Sequence, residues 1–329
     1  MKRKLLLVSN TVFHYRVSVY NHLNSRLQSV GYELIVLTNR LQEENPHSPN
    51  FEMIVEPFHF GRYRSLIKGI APSAVMLFLH IRDLVVWPLL AWLKWNNTPV
   101  IYWNHGINLE TPDNFLKNVV FGFFHSAADA IVLYSENEKK HIAQKHQAKI
   151  FVANNTINFH MIPEILESKS ELKKHWNVNF DKIVLFVGRV TSSKRLDDLI
   201  GAAPLLDAGT CVVIVGGGLT AAHKEAIDKQ ANVIYLGEIY DATEVNQIFK
   251  MSDIFCIPGK NGLGINHAFF WGLPVVTEDV LHSPEIVYLM EGENGFIVKR
   301  HDIVALREKI NFLLESPDLY ERFSKAARK

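Results

Sequence analysis

Two stretches of this 329-residue chain carry residue types and spacings suited to holding a phosphate group. The first, FVGRVTSSKRLDDLI, sets Gly188, Arg189, Lys194 and Arg195 between a strand-like run and a helical one. Arginine grips two oxygens in a fork and lysine acts as a point charge, so three cations at a strand end suit a diphosphate. Solubilising surface charge is the other reading of the same residues. The second stretch, PGKNGLGINHAFFWGLPVVTED, covers 258–279 and sets Gly259, Gly262 and Gly264 close together ahead of a helix. Glycine costs conformational entropy, so its clustering implies unusual backbone or close approach. Amides at a helix start can cradle an anion; a tight structural turn is the alternative. VIVGGGL, with Gly216, Gly217 and Gly218, is a weaker signal. It lacks the spacing and acidic partner of a dinucleotide fingerprint, which argues against a nicotinamide site.

The first half offers a different chemistry. YWNHGIN places Asn104, His105 and Gly106 at the tip of a strand, where a histidine can bond substrate or move a proton. NTVFHYRVSVY places His14 and Arg16 at the tip of the first strand. Each of these side chains also has a purely structural reading.

Alternating elements must position these groups. KLLLVS, YELIVLTN, AVMLFL, PVIYWNHG, AIVLYS and KIFVANN read as strands separated by helical runs. In VSVYNHLNSRL, Val19, Leu23 and Leu27 fall on one helical face, and ENEKKHIAQKH reads as a helix. The periodicity lapses between Asn158 and Lys182, then a second series runs from KIVLFVGRV to LPVVTE. The pattern predicts an α/β chain of two tandem Rossmann-like, doubly wound domains facing across a cleft: residues 1–160, a linker over 161–181, and residues 182–329. Ligands of such sheets bind beyond the carboxyl ends of the strands.

Composition restricts the function classes. The chain is 48% apolar and 21% charged with a net charge of +1, so nothing marks it as a nucleic-acid binder. Residues 1–160 hold 16 Lys/Arg against 11 Asp/Glu and the remainder 19 against 23, a mildly basic first half that suits an anionic acceptor or membrane surface. Cys211 and Cys256 lie in apolar runs and read as buried reduced thiols, too few for a zinc ribbon. The apolar run of MKRKLLLVSN is too short for a signal peptide, which predicts a cytoplasmic protein. LVVWPLLAWLKW is too short to span a membrane; it reads as an interfacial helix or as a core helix packed on a sheet.

Taken in order, HYRVSVYNHL, WNHG, ADAIVLYSENEKKHI, VANNTI, LFVGRVTSSKRLDDLI, VIVGGG, YLGEIYD, FCIPGKNGLGINHAFFWGLPVVT and HSPEIVYLMEGENGFIV resemble the retaining glycosyltransferases of the GT-B fold, family 4, especially bacterial polysaccharide-assembly members. The motifs span nearly the whole chain. The resemblance implies a nucleotide diphosphate sugar held mostly by the second domain and an acceptor held by the first. Arg189 and Lys194 match the basic pair on the donor diphosphate, with Gly188 beside them. The amides of Gly262, Leu263 and Gly264 match the loop under the donor, and Gly237, Glu238 and Ile239 the place of the base. Glu285 matches a glutamate that holds the ribose, and His105 a histidine near the reacting sugar. His14, Arg16 and Asn104 stand on the acceptor side.

One departure stands out. Many members carry two glutamates in the 258–279 loop, and ungapped alignment puts Gly259 and His267 there. His267 can bond a hydroxyl or phosphate but cannot act as a fixed anion. No Asp-x-Asp pair and no His-Glu-x-x-His motif occurs, so the expectation is that no essential metal takes part. The tail after Asn311 is short for this fold. The expected activity is sugar transfer to a lipid-linked saccharide or other glycan in capsule or O-antigen synthesis, at the inner face of the cytoplasmic membrane. The competing expectations are a degenerate, non-catalytic glycan- or nucleotide-binding protein and a sugar-nucleotide epimerase.

Overall fold

The computed structural model describes residues 2–41, 48–108, 111 and 114–329; the side chain of His14 lies outside the described part. The chain divides into two compact units, Met1–Asn158 and Phe159–Lys329.

The first unit contains β1 (Arg3–Val12), α1 (His14–Ser29), β2 (Tyr32–Leu41), β3 (Glu52–Val55), α2 (Phe60–Ile70), β4 (Ala74–Phe78), α3 (Val86–Trp95), β5 (Val100–Trp103), α4 (Phe115–Ala127), β6 (Ala130–Leu133) and β7 (Ile150–Val152). Its seven strands form one parallel sheet in the order β3-β2-β1-β4-β5-β6-β7. Central strands buried on both faces must be apolar throughout rather than alternating, as Leu5–Val8 and Leu34–Leu37 are. The face of α1 that meets the sheet is set by Val17, Tyr20 and Asn24, with Leu23 and Leu27 at its margin. Val19, expected on that face, is only half-buried. Asn24 turns the helix inward because its side-chain oxygen accepts the Leu34 amide of β2 at 2.9 Å. The tryptophan-rich α3 is a core helix: Val86, Leu89, Leu90 and Leu93 are buried against the sheet.

The segment expected as a single helix after β6 is instead two short 3-10 turns, 136–141 and 144–149. Ile142 between them is extended and packs tightly against Gly106, where an added Cβ would sit 3.0 Å from the Ile142 side chain. A continuous α-helix would withdraw that contact.

The second unit contains α5 (Lys169–His175), β8 (Lys182–Val187), α6 (Leu196–Ala202), β9 (Thr210–Val215), α7 (Ala221–Asp228), β10 (Val233–Tyr235), α8 (Ala242–Met251), β11 (Ile254–Cys256), α9 (Gly264–Phe270), β12 (Val275–Glu278), β13 (Gly295–Val298), α10 (Ile303–Glu315) and α11 (Pro317–Ala327). Its six strands are again parallel, ordered β10-β9-β8-β11-β12-β13. The stretch 161–181, expected as a linker, is built into this unit. Ile165, Leu172 and Val178 are buried in its core, and Ser168 and Glu171 cap α5 reciprocally. Cys211 and Cys256 are buried free thiols.

In both sheets the strand order reverses once, between β1 and β4 and between β8 and β11. Ligands of such sheets bind where the order reverses, and in the first unit a cavity lies at that junction.

Candidate active site

In the second unit the loops beyond the strand ends meet largely through backbone. Gly188 follows β8 and donates its amide to Val215; Val190 donates to Gly217 at 2.7 Å, and Gly216 to Gly237 at 2.8 Å. A Cβ at Gly216 would overlap the Gly188 carbonyl, and one at Gly218 (φ +95°) would lie 2.6 Å from the Val190 carbonyl oxygen. Gly216 and Gly218 therefore let the loops after β8 and β9 meet main chain to main chain. A Cβ at Gly217 would overlap the Glu238 carboxylate. Glu238 accepts the Tyr240 hydroxyl at 2.6 Å, and Ile239 packs on the core.

Across the β8/β11 junction the contact is closer still. Gly259 donates its amide to the Lys194 carbonyl at 2.9 Å and Lys260 to the Ser193 carbonyl at 2.7 Å. A side chain at Gly259 would overlap the Ser193 carbonyl oxygen. Gly264 opens α9 for another reason: a Cβ there would sit 2.7 Å from the ring of buried Phe255. Gly262 has room, the nearest neighbour of an added Cβ being the Ser283 hydroxyl at 3.7 Å. Asn261, 1% exposed, pins the loop by donating to the carbonyls of Ile257 and Gly259 and to the Thr277 hydroxyl. His282 takes the Asn261 amide on Nδ1, while its Nε2 lies 2.8 Å from the Glu278 carbonyl oxygen.

The expected cations separate. Arg189 stands exposed just beyond β8. Lys194 is half-buried, and burial, aided by Lys260, pulls its ammonium down to about 8 although nearby Glu285 opposes the shift. Glu285, 2% exposed, lies in the 284–288 turn. Arg195 turns the other way. It adopts φ +57° and pairs with Glu278 at 2.8 Å, with Asp198, and with His301. Glu278 is fully buried at the end of β12, and burial raises its carboxyl. Arg195 is thus a structural counter-ion and not the third diphosphate ligand its sequence position suggested.

His267 also departs from expectation. Its ring stacks on Phe249 at 3.9 Å and its Nε2 lies 2.7 Å from the Asn246 side-chain oxygen, which also accepts the Trp271 indole N–H. Burial in this α8/α9 packing brings its imidazole down to about 4. It joins two helices rather than presenting a donor-binding group.

In the first unit a cavity of about 330 Å³ lies at the β1/β4 junction. Asn10 and Thr11, Phe78 and His80, Trp103 and His105 come to it from the ends of β1, β4 and β5, and Tyr134 from beyond β6. Asp83, also in the wall, accepts the Asn10 amide at 2.6 Å and the His80 backbone N–H at 2.8 Å. Asn104 donates to the Leu79 carbonyl and accepts the His105 amide. His105 Nδ1 is 2.7 Å from Glu138 Oε1, and the other carboxylate oxygen takes the Tyr134 and Ser135 amides. A carboxylate oxygen here can only accept, so the hydrogen bond places a proton on Nδ1. Arg16 is 8% exposed, with its guanidinium against the rings of Tyr15, Phe78 and Tyr134 at 5.4, 5.2 and 5.8 Å. It supports the cavity wall and is not part of the lining. His14 begins α1, and its side chain lies outside the described residues.

Sequence reasoning missed Glu138, Asn10, Asp83, Asn261 and His282. Only Glu138 had a visible signal, its spacing from Ser135 as a capping box. Among the described residues no three His, Cys, Asp or Glu side chains are placed to hold a metal ion.

Two parallel, doubly wound sheets with loops gathered at their carboxyl ends define the GT-B fold. Residues 168–329 match the family model of glycosyl transferases group 1. The match lies within the second unit and covers just under half of the chain. It is 27% identical over 243 residues to an uncharacterized glycosyltransferase of Haemophilus influenzae, covering 70% of this chain and 65% of that protein. It is 26% identical to the capsular polysaccharide biosynthesis glycosyltransferase CapM of Staphylococcus aureus, covering 70% and 64%. The matches thus span just under two thirds of these relatives' lengths. Among solved structures, Anabaena HepE in complex with UDP superimposes with a TM-score of 0.76 at 15% identity, covering all of this chain and 94% of that one.

Proposed function

We propose that this chain is a retaining glycosyltransferase that moves a sugar from a nucleotide diphosphate sugar to a lipid-linked saccharide or glycan acceptor in bacterial surface-polysaccharide synthesis. One observation carries the reading: Lys194 is held half-buried on the Gly259–Lys260 backbone, with Arg189 exposed in the same β8–α6 loop. A poorly solvated ammonium and a guanidinium at the carboxyl end of a sheet suit a pyrophosphate. They would stabilise charge on the leaving diphosphate as the glycosidic bond breaks.

In this reading the loop amides at Gly262, Leu263 and Gly264 carry the donor, Glu285 the ribose, and the Gly237–Ile239 backbone the base. His105 faces the reacting sugar, and the aromatic cavity of the first unit takes the acceptor. No metal ion is required. CapM, named for capsular polysaccharide biosynthesis, and HepE, solved with UDP, support the general class of donor and product.

The test is release of nucleotide across a panel of sugar nucleotides, with and without EDTA. Turnover should survive chelation and fall at least about 100-fold in Arg189→Ala and Lys194→Ala. Near-normal turnover in both variants would remove the reading. A second reading, nucleotide binding without catalysis, is favoured by Gly259 and His267: a side chain cannot fit at the first, and the second is engaged with α8. Donor-induced thermal stabilisation with no nucleotide release from any donor would select it.

A further inference from the structure

Helix α4 departs from the usual pattern of a surface helix. Its inward side is Phe121, Phe124 and His125. Its outward side is apolar as well: Phe115, Leu116, Val119 and Phe123 are 76%, 75%, 55% and 54% exposed. At 3.6 residues per turn these four fall within an arc of about 100°. The Trp87 ring stacks on Phe123 at 6.1 Å and widens the patch. A helix apolar on both sides needs cover on both, and a contiguous apolar surface of this kind marks an interaction site.

The charge beside this face is positive. A groove of about 430 Å³ runs between α4 and the two 3-10 turns, with Val119 and Phe123 on one side and Lys145 on the other. Lys140 and Lys145 are exposed. Residues 115–149 hold five lysines and three carboxylates. Each carboxylate has a partner: Asp129 with Lys94, Glu136 with Lys139, and buried Glu138 with His105. Glu110 and Asp113, ahead of the helix, lie outside the described residues.

From this face we infer a docking surface for an anionic phospholipid bilayer, with Phe115, Leu116, Val119 and Phe123 entering the acyl boundary and Lys140 and Lys145 meeting lipid phosphates. Interfacial helices bind by this combination of apolar area and flanking cations. A second copy of the chain is the poorer occupant, because a two-fold contact on this face would bring the flanking lysines of both copies together. The inference rests on the transferase reading only for its purpose, delivery of the enzyme to a lipid-linked acceptor.

The experiment is co-sedimentation of the chain with vesicles of phosphatidylcholine alone or mixed with phosphatidylglycerol. We expect partition onto the phosphatidylglycerol vesicles only. L116S/V119S should lower it at least about tenfold and K145E about fivefold or more. W95S, which removes an exposed tryptophan on α3, should leave it unchanged. Absence of binding to phosphatidylglycerol vesicles would overturn the inference. So would equal partition of wild type and both α4-face variants, or a wild-type dimer that L116S/V119S converts to monomer. Nucleotide-induced thermal shifts, measured on each variant, report folding and donor binding separately. Their loss in the wild type would count against the transferase reading and leave the vesicle result standing.

Discussion

Glu138 fixes His105: one carboxylate oxygen lies 2.7 Å from the imidazole Nδ1, while the other takes the Tyr134 amide at 2.8 Å. The carboxylate is nearly fully buried, and the histidine is about a third exposed. Glu138→Gln should keep the turn and lose the anion that holds the proton on Nδ1. We expect a drop in transfer rate of about 10²–10⁴-fold for His105→Ala and a smaller one for Glu138→Gln. ¹⁵N chemical shifts of His105 should report a changed tautomer balance in Glu138→Gln. Unchanged shifts and rate would show that Glu138 serves only as a cap.

Lys194 and Arg195 are neighbours in different settings, the first half-buried beside the glycine loop and the second ion-paired with Glu278, and their substitutions should separate cleanly. Lys194→Ala should abolish nucleotide-induced thermal stabilisation while the melting temperature of the free protein holds. Arg195→Ala strands the buried Glu278 carboxylate and should cost about 3–5 kcal/mol of stability. Denaturant melts and nucleotide titrations on the two variants check this; the reverse pattern would refute it.

The lowered ammonium of Lys194 gives a pH signature. Binding a diphosphate requires the charged form, which is lost as pH rises through about 8 in the free protein. Affinity for a nucleoside diphosphate should therefore weaken above that pH, well before an ordinary lysine would deprotonate. Lys194→Arg should flatten the profile, as isothermal titration across pH 7 to about 10 would reveal.

His125 and His267 make stability fall on the acid side. Burial brings both imidazoles down to about 4, with His146 adding to the effect at His125. Their folded values lie below the unfolded value of about 6.5, so the unfolded chain takes up more protons between the two. Stability from these sites is present above about 6.5 and is lost as pH falls toward 4. Thermal melts across that window should show the decline, and His267→Gln should lessen it.

Gly259→Ala and Gly264→Ala test the close approaches in the loop. The first would overlap the Ser193 carbonyl and the second would press on the Phe255 ring. Each should cost about 1–3 kcal/mol in a chemical melt. Gly262→Ala, where there is room, should be close to neutral in stability.

The sheets were legible because parallel strands buried on both faces become unbroken apolar runs, as Leu5–Val8 does. The strand-tip position of His105 and the glycine loop followed from that alternation. Side-chain direction was not legible. Arg195 reads as one more cation in a basic turn until its positive φ swings it onto Glu278 of a distant strand. His267 occupies a short helix whose pattern does not tell which neighbour its ring will meet, and Phe249 and Asn246 decide it. The Glu138–His105 pair depends on a tight turn where periodicity suggested an ordinary helix.

The missing side chain at Gly259 has a mechanical result. Because the Gly259 and Lys260 amides are tied to the carbonyls of Lys194 and Ser193, the turns leaving β8 and β11 are yoked and cannot shift separately. A push on either turn is passed through these two bonds to the other, so the backbone under Lys194 and the glycine-rich bend answer to load as one hinged piece.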